Sequence, residues 1–455
     1  MKIKFLAVCL CLVSMSYGAQ EKTGARAQKS AGEIVDQKLI ACVKAGDADC
    51  VAKALAAGAK ANASNAEGRA ALILAAEGKS AEVVRLLLEA GAEVNRNWGG
   101  EGSPLCRAAL FGRKEITGML LTKRAKVNVV CDSDHGDTPL LEALRGMMLA
   151  DMPGELRETF VQAGDESYKA GEAAEKLREA LSASSADFLA VARALLARGA
   201  DVNVVATCDA GETALMYAAM SGNAELMKEL LARGADVNKG VPVLAWMVQY
   251  ERELERGKSL ALPAMSKNQA AMLAWSERTK AAREEIKRLL KAAGAKETAE
   301  GEEDDSAKTD AETLEEVADA AFRDAIEVDD RKDFARLVDA YAKHPLGAVV
   351  LPEALRRTII YQRTEMFKLL LERGTSPNAD RGMANRHPPL QQAAYSGQLE
   401  YARMLLDAGA DMDKRDENGL TALDAAERQS SSSEEHRAIA ELLKARGAKS
   451  KGQKP

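Results

Sequence analysis

Residues 224–238 read AELMKELLARGADVN, and their reading decides the fold. Leu226, Met227, Leu230 and Leu231 lie on one side of a helical wheel, the stripe of an amphipathic helix. Gly234 stops that helix, because glycine takes the left-handed C′ conformation at low steric cost. The same text returns as EVVRLLLEAGAEVN at 82–95, FLAVARALLARGADVN at 188–203 and YARMLLDAGADMD at 401–413. A unit that recurs in this way describes an array.

The terminal tag, G-A-x-x-N, opens at Gly58, Gly91, Gly199 and Gly234, with Arg124 replacing glycine in the copy RAKVN; weaker copies begin at Gly294, Gly374, Gly409 and Gly447. The undisturbed period is about 33 residues, and two longer gaps mark insertions. A second signature precedes each tag by about twenty residues: SPL at 103–105, TPL at 138–140, TAL at 213–215, PPL at 388–390 and TAL at 421–423. Ser or Thr caps a helix there, and proline suits its first turn. Small pairs such as Ala108-Ala109 and Ala218-Ala219 then let neighbouring helices approach closely.

Two signatures in phase resemble the ankyrin repeat. The resemblance implies an all-α solenoid with short β-hairpin fingers, each unit being a hairpin turn, a short helix and a longer antiparallel helix. One departure is that the histidine usual after TPL is replaced by Ile73, Cys106, Leu141, Met216, Gln391 and Asp424. Block one, residues 34–297, holds about six repeats, with helical insertions near 146–186 and 250–278. An acidic linker covers 298–313, block two covers 314–449 with about four repeats, and 450–455 is a basic tail. Both insertions fall between the two helices of a repeat. They read either as neutral padding at a tolerant loop or as partner-specific or self-association elements.

The composition agrees with thin, repeated helix contacts. Of 455 residues, 47% are hydrophobic but only 4% aromatic, and alanine and leucine dominate the apolar share. Lys+Arg 63 against Asp+Glu 69 gives −6, a poor basis for phosphate contacts, so no nucleic-acid partner is expected. His135, His344, His387 and His436 are the only histidines. No GxSxG, phosphate-loop or HExxH motif occurs, so the expectation is a non-enzyme without a cofactor. The cluster Asp132, Asp134, His135 and Asp137 reads as turn chemistry at a finger tip, not as a metal site.

MKIKFLAVCLCLVSMSYG, residues 1–18, has two lysines, an apolar run and small residues near its end, the pattern of a signal peptide. It predicts a periplasmic or secreted product, bacterial in style, with no membrane insertion after cleavage. Cys42, Cys50, Cys106, Cys131 and Cys208 would remain. They read mostly as small buried hydrophobes. Cys131 and Cys208 occupy neighbouring fingers and form a candidate disulfide.

The resemblance also implies protein–protein interaction along the concave face. Its register projects Trp98 to a finger tip and Arg107, Phe111, Glu142, Arg145, Tyr217, Met220, Gln392 and Tyr395 to variable first-helix positions. Aromatic and arginine side chains there are the types that dominate interfaces. The expected function is a scaffold for a protein partner. The alternative is a structural, self-assembling role in which the insertions make a homo-oligomer.

Overall fold

The structure is a computed structural model that describes residues 31–98, 102–131, 136–154, 157, 178–180, 182–207, 211–259, 264–296, 310–378, 387–416, 418–429 and 433–448. The leader, Cys208, the Asp132–His135 cluster, most of the first insertion, most of the acidic linker and the tail lie outside them. The chain divides into two units: Met1–Arg252 with Ala274–Glu303, and Glu253–Leu273 with Asp304–Pro455. Residues 253–273, which the sequence reading places in block one, are therefore grouped with the second unit.

In the first unit the helices come in antiparallel pairs. They are α1 (Ala31–Ala45) and α2 (Ala48–Ala56), α3 (Ala71–Glu77) and α4 (Ala81–Glu89), α5 (Pro104–Leu110) and α6 (Lys114–Thr122). Next come α7 (Pro139–Asp151) and α8 (Ser185–Ala197), then α9 (Ala214–Met220) and α10 (Ala224–Ala232); the long α11 (Val243–Ser259) and α12 (Lys267–Ala292) each contribute residues to both units. The first helices α1, α3, α5, α7 and α9 pack in one row, and α2, α4, α6 and α8 in another. Ser103, Thr138 and Thr213 cap α5, α7 and α9 through their hydroxyls, satisfying amide groups that the first turn leaves open. Gly146 shows why the alanine and glycine positions are small: a Cβ there would lie 2.2 Å from the Phe188 ring.

The tag asparagine joins each repeat to the next. Asn203 Oδ1 accepts the Asp236 amide at 2.7 Å, and its Nδ2 donates to the Gly234 carbonyl at 3.0 Å. Asn95 does the same toward Lys126 and Arg124, Asn128 toward Asp201 and Gly199, and Asn238 toward Lys296 and Gly294. The last two rungs span both insertions, so the insertions leave the register of the tags intact.

The hairpin fingers that the resemblance implies do not form strands among the described residues. Among the described residues there is one isolated bridge, Ser64 with Ala70, and no strand. The finger around that bridge closes on two backbone bonds, Asn65 N to Arg69 O and Ala71 N to Ala63 O, and later fingers carry bonds such as Cys131 N to Asp137 O and Ala206 N to Glu212 O.

The cysteines also differ from expectation. Cys131 pairs with Cys106, at 5.4 Å between Cα atoms, and not with Cys208; Cys42 pairs with Cys50. The partner is set by the base of the finger, where Cys131 lies against Gly102 and the start of α5. Gly102 has φ +71°, and a Cβ there would meet Cys106 Sγ and the Cys131 backbone at 2.8 Å.

The second unit contains α13 (Asp310–Glu327), α14 (Arg331–Tyr341), α15 (Gly347–Ile360), α16 (Thr364–Glu372), α17 (Pro389–Tyr395), α18 (Leu399–Asp407), α19 (Ala422–Gln429) and α20 (Glu434–Ala445). Helices α13, α15, α17 and α19 form its first row. Its core is more aromatic: Phe322 meets Phe334 and Tyr341 edge-on, and Phe367 meets Tyr401 likewise. Among the described residues, no helix is long and apolar enough to cross a membrane.

Candidate functional site

The first-helix row is where the sequence reading places partner-binding side chains. In the first unit those side chains hold the row together. Arg107 is 4% exposed, its Nε donating to Glu77 Oε1 at 2.7 Å and its guanidinium lying over the Phe111 ring. Glu77 also pairs with Arg69, and its carbonyl accepts from Arg113 Nε. Burial lowers the proton affinity of Arg113, against the pull of Glu179 and Glu77. Phe111 is buried, with the guanidinium groups of Arg107 and Arg113 both over its ring.

A second network joins α7 to α9. Arg145 pairs with Asp137, and its Nε donates to Tyr217 Oη at 3.1 Å. Tyr217 in turn donates to Glu212 Oε2 at 2.9 Å, and Glu142 lies 3.5 Å from Arg145. All five side chains are buried. Burial disfavours the charge on Arg145, but Asp137, Tyr217, Glu142 and Glu212 outweigh it and hold the guanidinium protonated. Burial likewise pushes the Tyr217 phenol well above its usual range, so it remains a donor. A buried charge of this kind persists only where its partners are fixed.

The projection of Arg107, Phe111, Glu142, Arg145, Tyr217, Met220 and Gln392 onto a free surface is therefore corrected, since all seven are buried. Their partners lie up to 72 residues away. Gln392 is held by Arg356 and Ser396. Trp98 is half-buried; its indole donates to the Glu67 carbonyl at 3.0 Å and faces the Arg69 guanidinium. It ties one finger to the previous one.

Tyr395 remains. It is 53% exposed, stacks on His387 with ring centres 5.4 Å apart, and offers its carbonyl to His436 Nε2 at 3.0 Å. His436 covers Gly397, whose φ of +68° ends the turn after α17. Ile360 occupies the corresponding place on α15: it stands two residues before Gln362, at φ 54°, as Tyr395 stands two before Gly397. Ile360 is 41% exposed, and α15 packs on α17. Ile360 and Tyr395 thus hold corresponding, exposed positions on packed helices of the first-helix row of the second unit. Ile360 was missed because the repeat at 350–380 lacks the TPL signature that would have set its register.

A family model for ankyrin repeats matches residues 39–131, 170–252 and 355–453, more than half of the chain. A glycerophosphocholine phosphodiesterase of Schizosaccharomyces pombe is 37% identical over 73 residues, which is 16% of this chain and 6% of that protein. The similarity thus spans a small fraction of that relative's length. Ankyrin repeats generally mediate protein–protein interaction. The recurrent helix pairs, the asparagine rungs and the three matched stretches agree, and the chain belongs to the ankyrin-repeat family.

Proposed function

We propose that this chain is a non-enzymatic scaffold that binds a protein partner through the first-helix row of its second unit, centred on Tyr395 with Ile360 and His387. The observation that carries this reading is that Tyr395 and Ile360 are large apolar side chains left exposed at corresponding positions of α17 and α15. Large apolar side chains exposed on a repeat surface bury area on association without first ordering a loop. Tyrosine is among the residue types that concentrate binding energy.

The scaffold acts in an oxidising compartment, the bacterial periplasm or the extracellular medium. The leader at 1–18 and the pairings Cys42–Cys50 and Cys106–Cys131 support that placement, because such bonds persist where thiols are not kept reduced.

The test is affinity capture from the native periplasm or medium with the full mature chain, wild type against Ile360→Ala/Tyr395→Ala. The expected result is a partner recovered with the wild type and lost with the double variant. A partner retained by the variant, or a chain that light scattering shows only as a self-assembled oligomer, would overturn the reading.

A further inference from the structure

Residues 264–266 and the first turn of α12, 267–269, lie against α13 and α14. Tyr341 Oη donates to the Ala264 carbonyl at 2.9 Å, and Arg336 reaches the Met265 carbonyl. The Lys267 amide donates to Asp333 Oδ2 at 2.9 Å, and its ammonium lies 2.6 Å from Asp330 Oδ2. Gln269 Nε2 donates to the Val317 carbonyl at 2.8 Å. At the centre, the Ser266 hydroxyl meets Asp324 Oδ2 at 3.2 Å, with Ser266 1% and Asp324 7% exposed.

We propose that this segment is a pH-controlled strap, seated on α13 and α14 while Asp324 carries a proton and released when Asp324 ionises. The charges around Asp324 set the direction. On its own helix it faces Arg323 and Glu327; from α14 it faces the buried Asp333, with Asp330 at the head of that helix; the strap contributes Lys267. The charged groups of α15 face elsewhere, Arg357 pairing with Asp319 and Arg356 with Glu353. Lys267 is engaged by Asp330, and Arg336 by Asp333. An ionised Asp324 therefore sits buried beside two carboxylates, with Arg323 as its compensating charge and the Ser266 hydroxyl as the strap's contribution.

Burial pushes the Asp324 carboxyl up from 3.8 to about 7. Because the seated form binds the proton more tightly than the released form, seating weakens as pH rises from about 4 and levels off above about 7. Although partial burial opposes it, Lys267 and the amides of α14 hold Asp330 below its usual range, and burial raises Tyr341 to about 12, so it stays a donor. The device is independent of whether Tyr395 binds a partner.

The test is hydrogen exchange read by mass spectrometry on the full chain, following the peptide that covers 264–269 at about pH 5 and about pH 8, corrected for intrinsic exchange. Strap protection should fall at least about tenfold at the higher pH. Asp324→Asn, which keeps a neutral group of the same shape, should remove that fall. His344→Gln should retain it, excluding the histidine whose ring lies 6.5 Å from that of Tyr341. Ser266→Ala removes a donor that favours the ionised carboxyl and an acceptor for the Gln269 amide, so it should lower protection at both pH values and keep the fall between them, which keeps the proposal exposed should Asp324→Asn not fold. Equal wild-type protection at both pH values, a pH response that survives Asp324→Asn, a response lost in His344→Gln, or no effect of Ser266→Ala would each overturn it.

Discussion

The two units build the same helix pair from different materials. In the first, asparagine rungs run through Asn62, Asn95, Asn128, Asn203 and Asn238; buried ion pairs fill its first-helix row and two disulfides tie its early repeats. In the second, Asn378 makes the one such rung among the described residues, accepting the Asp411 amide and donating to the Gly409 carbonyl. There the packing of Phe322, Phe334 and Tyr341 stands at the start of the row. A polar ladder demands a strict tag at every period, whereas aromatic rings fill volume and tolerate drift in sequence. That is why repeat text is plain in the first unit and eroded between residues 314 and 360.

The sharpest way to break this comparison is to remove the centre of each unit. Arg145→Ala leaves Asp137, Glu142 and Glu212 buried without their cation and should cost the first unit about 3–5 kcal/mol. Phe322→Ala should cost the second a similar ~3–5 kcal/mol through lost packing and a cavity. Hydrogen exchange read region by region distinguishes them. Each variant should lower protection in its own unit, and an Arg145→Ala effect below about 1 kcal/mol would show the network to be dispensable.

Replacing both Cys106 and Cys131 by alanine tests the covalent part of the contrast. Closing a loop of that length stabilises by roughly 3 kcal/mol through the unfolded chain. Denaturant unfolding should show a loss of that size in the first unit. Asn203→Ala removes one rung at an exposed site and should cost ~1 kcal/mol. Asn378→Ala should cost the same per rung. A clearly larger effect in the second unit would mean its single rung matters more than its aromatic packing.

How much of this was legible in the sequence depends on the range of each interaction. Gly234 as a helix stop and Thr213 as a cap are local chemistry, and they fix the period without any tertiary knowledge. The burial of Arg145 and Tyr217 is not local: neither residue is apolar, and each is buried only because the other arrives from another repeat with Asp137 and Glu212. The choice of Cys106 over Cys208 for Cys131 likewise rests on the close approach at Gly102. Trp98 looked like a free tip residue because its acceptor, the Glu67 carbonyl, belongs to the previous finger. Tyr395 escaped this fate because Gln392, one turn earlier, takes up the arginine from α15, leaving the phenol outside the polar contacts of its row.

That difference between Tyr217 and Tyr395 gives the smallest expected stability effect. The two stand on first helices of corresponding repeats, one turn apart in register, one buried in an ion network and the other 53% exposed. Tyr217→Phe removes the hydroxyl that links Arg145 to Glu212 and should cost ~1–3 kcal/mol, the penalty for buried polar groups left unsatisfied. Tyr395→Ala removes an exposed ring whose main neighbour is His387 and should change the second unit's unfolding by no more than about 0.5 kcal/mol. Thermal denaturation of both variants decides it. A large loss with Tyr395→Ala would make the Tyr395–His387 stack a structural clamp, and the second unit would then resemble the first in using its aromatic first-helix side chains for cohesion.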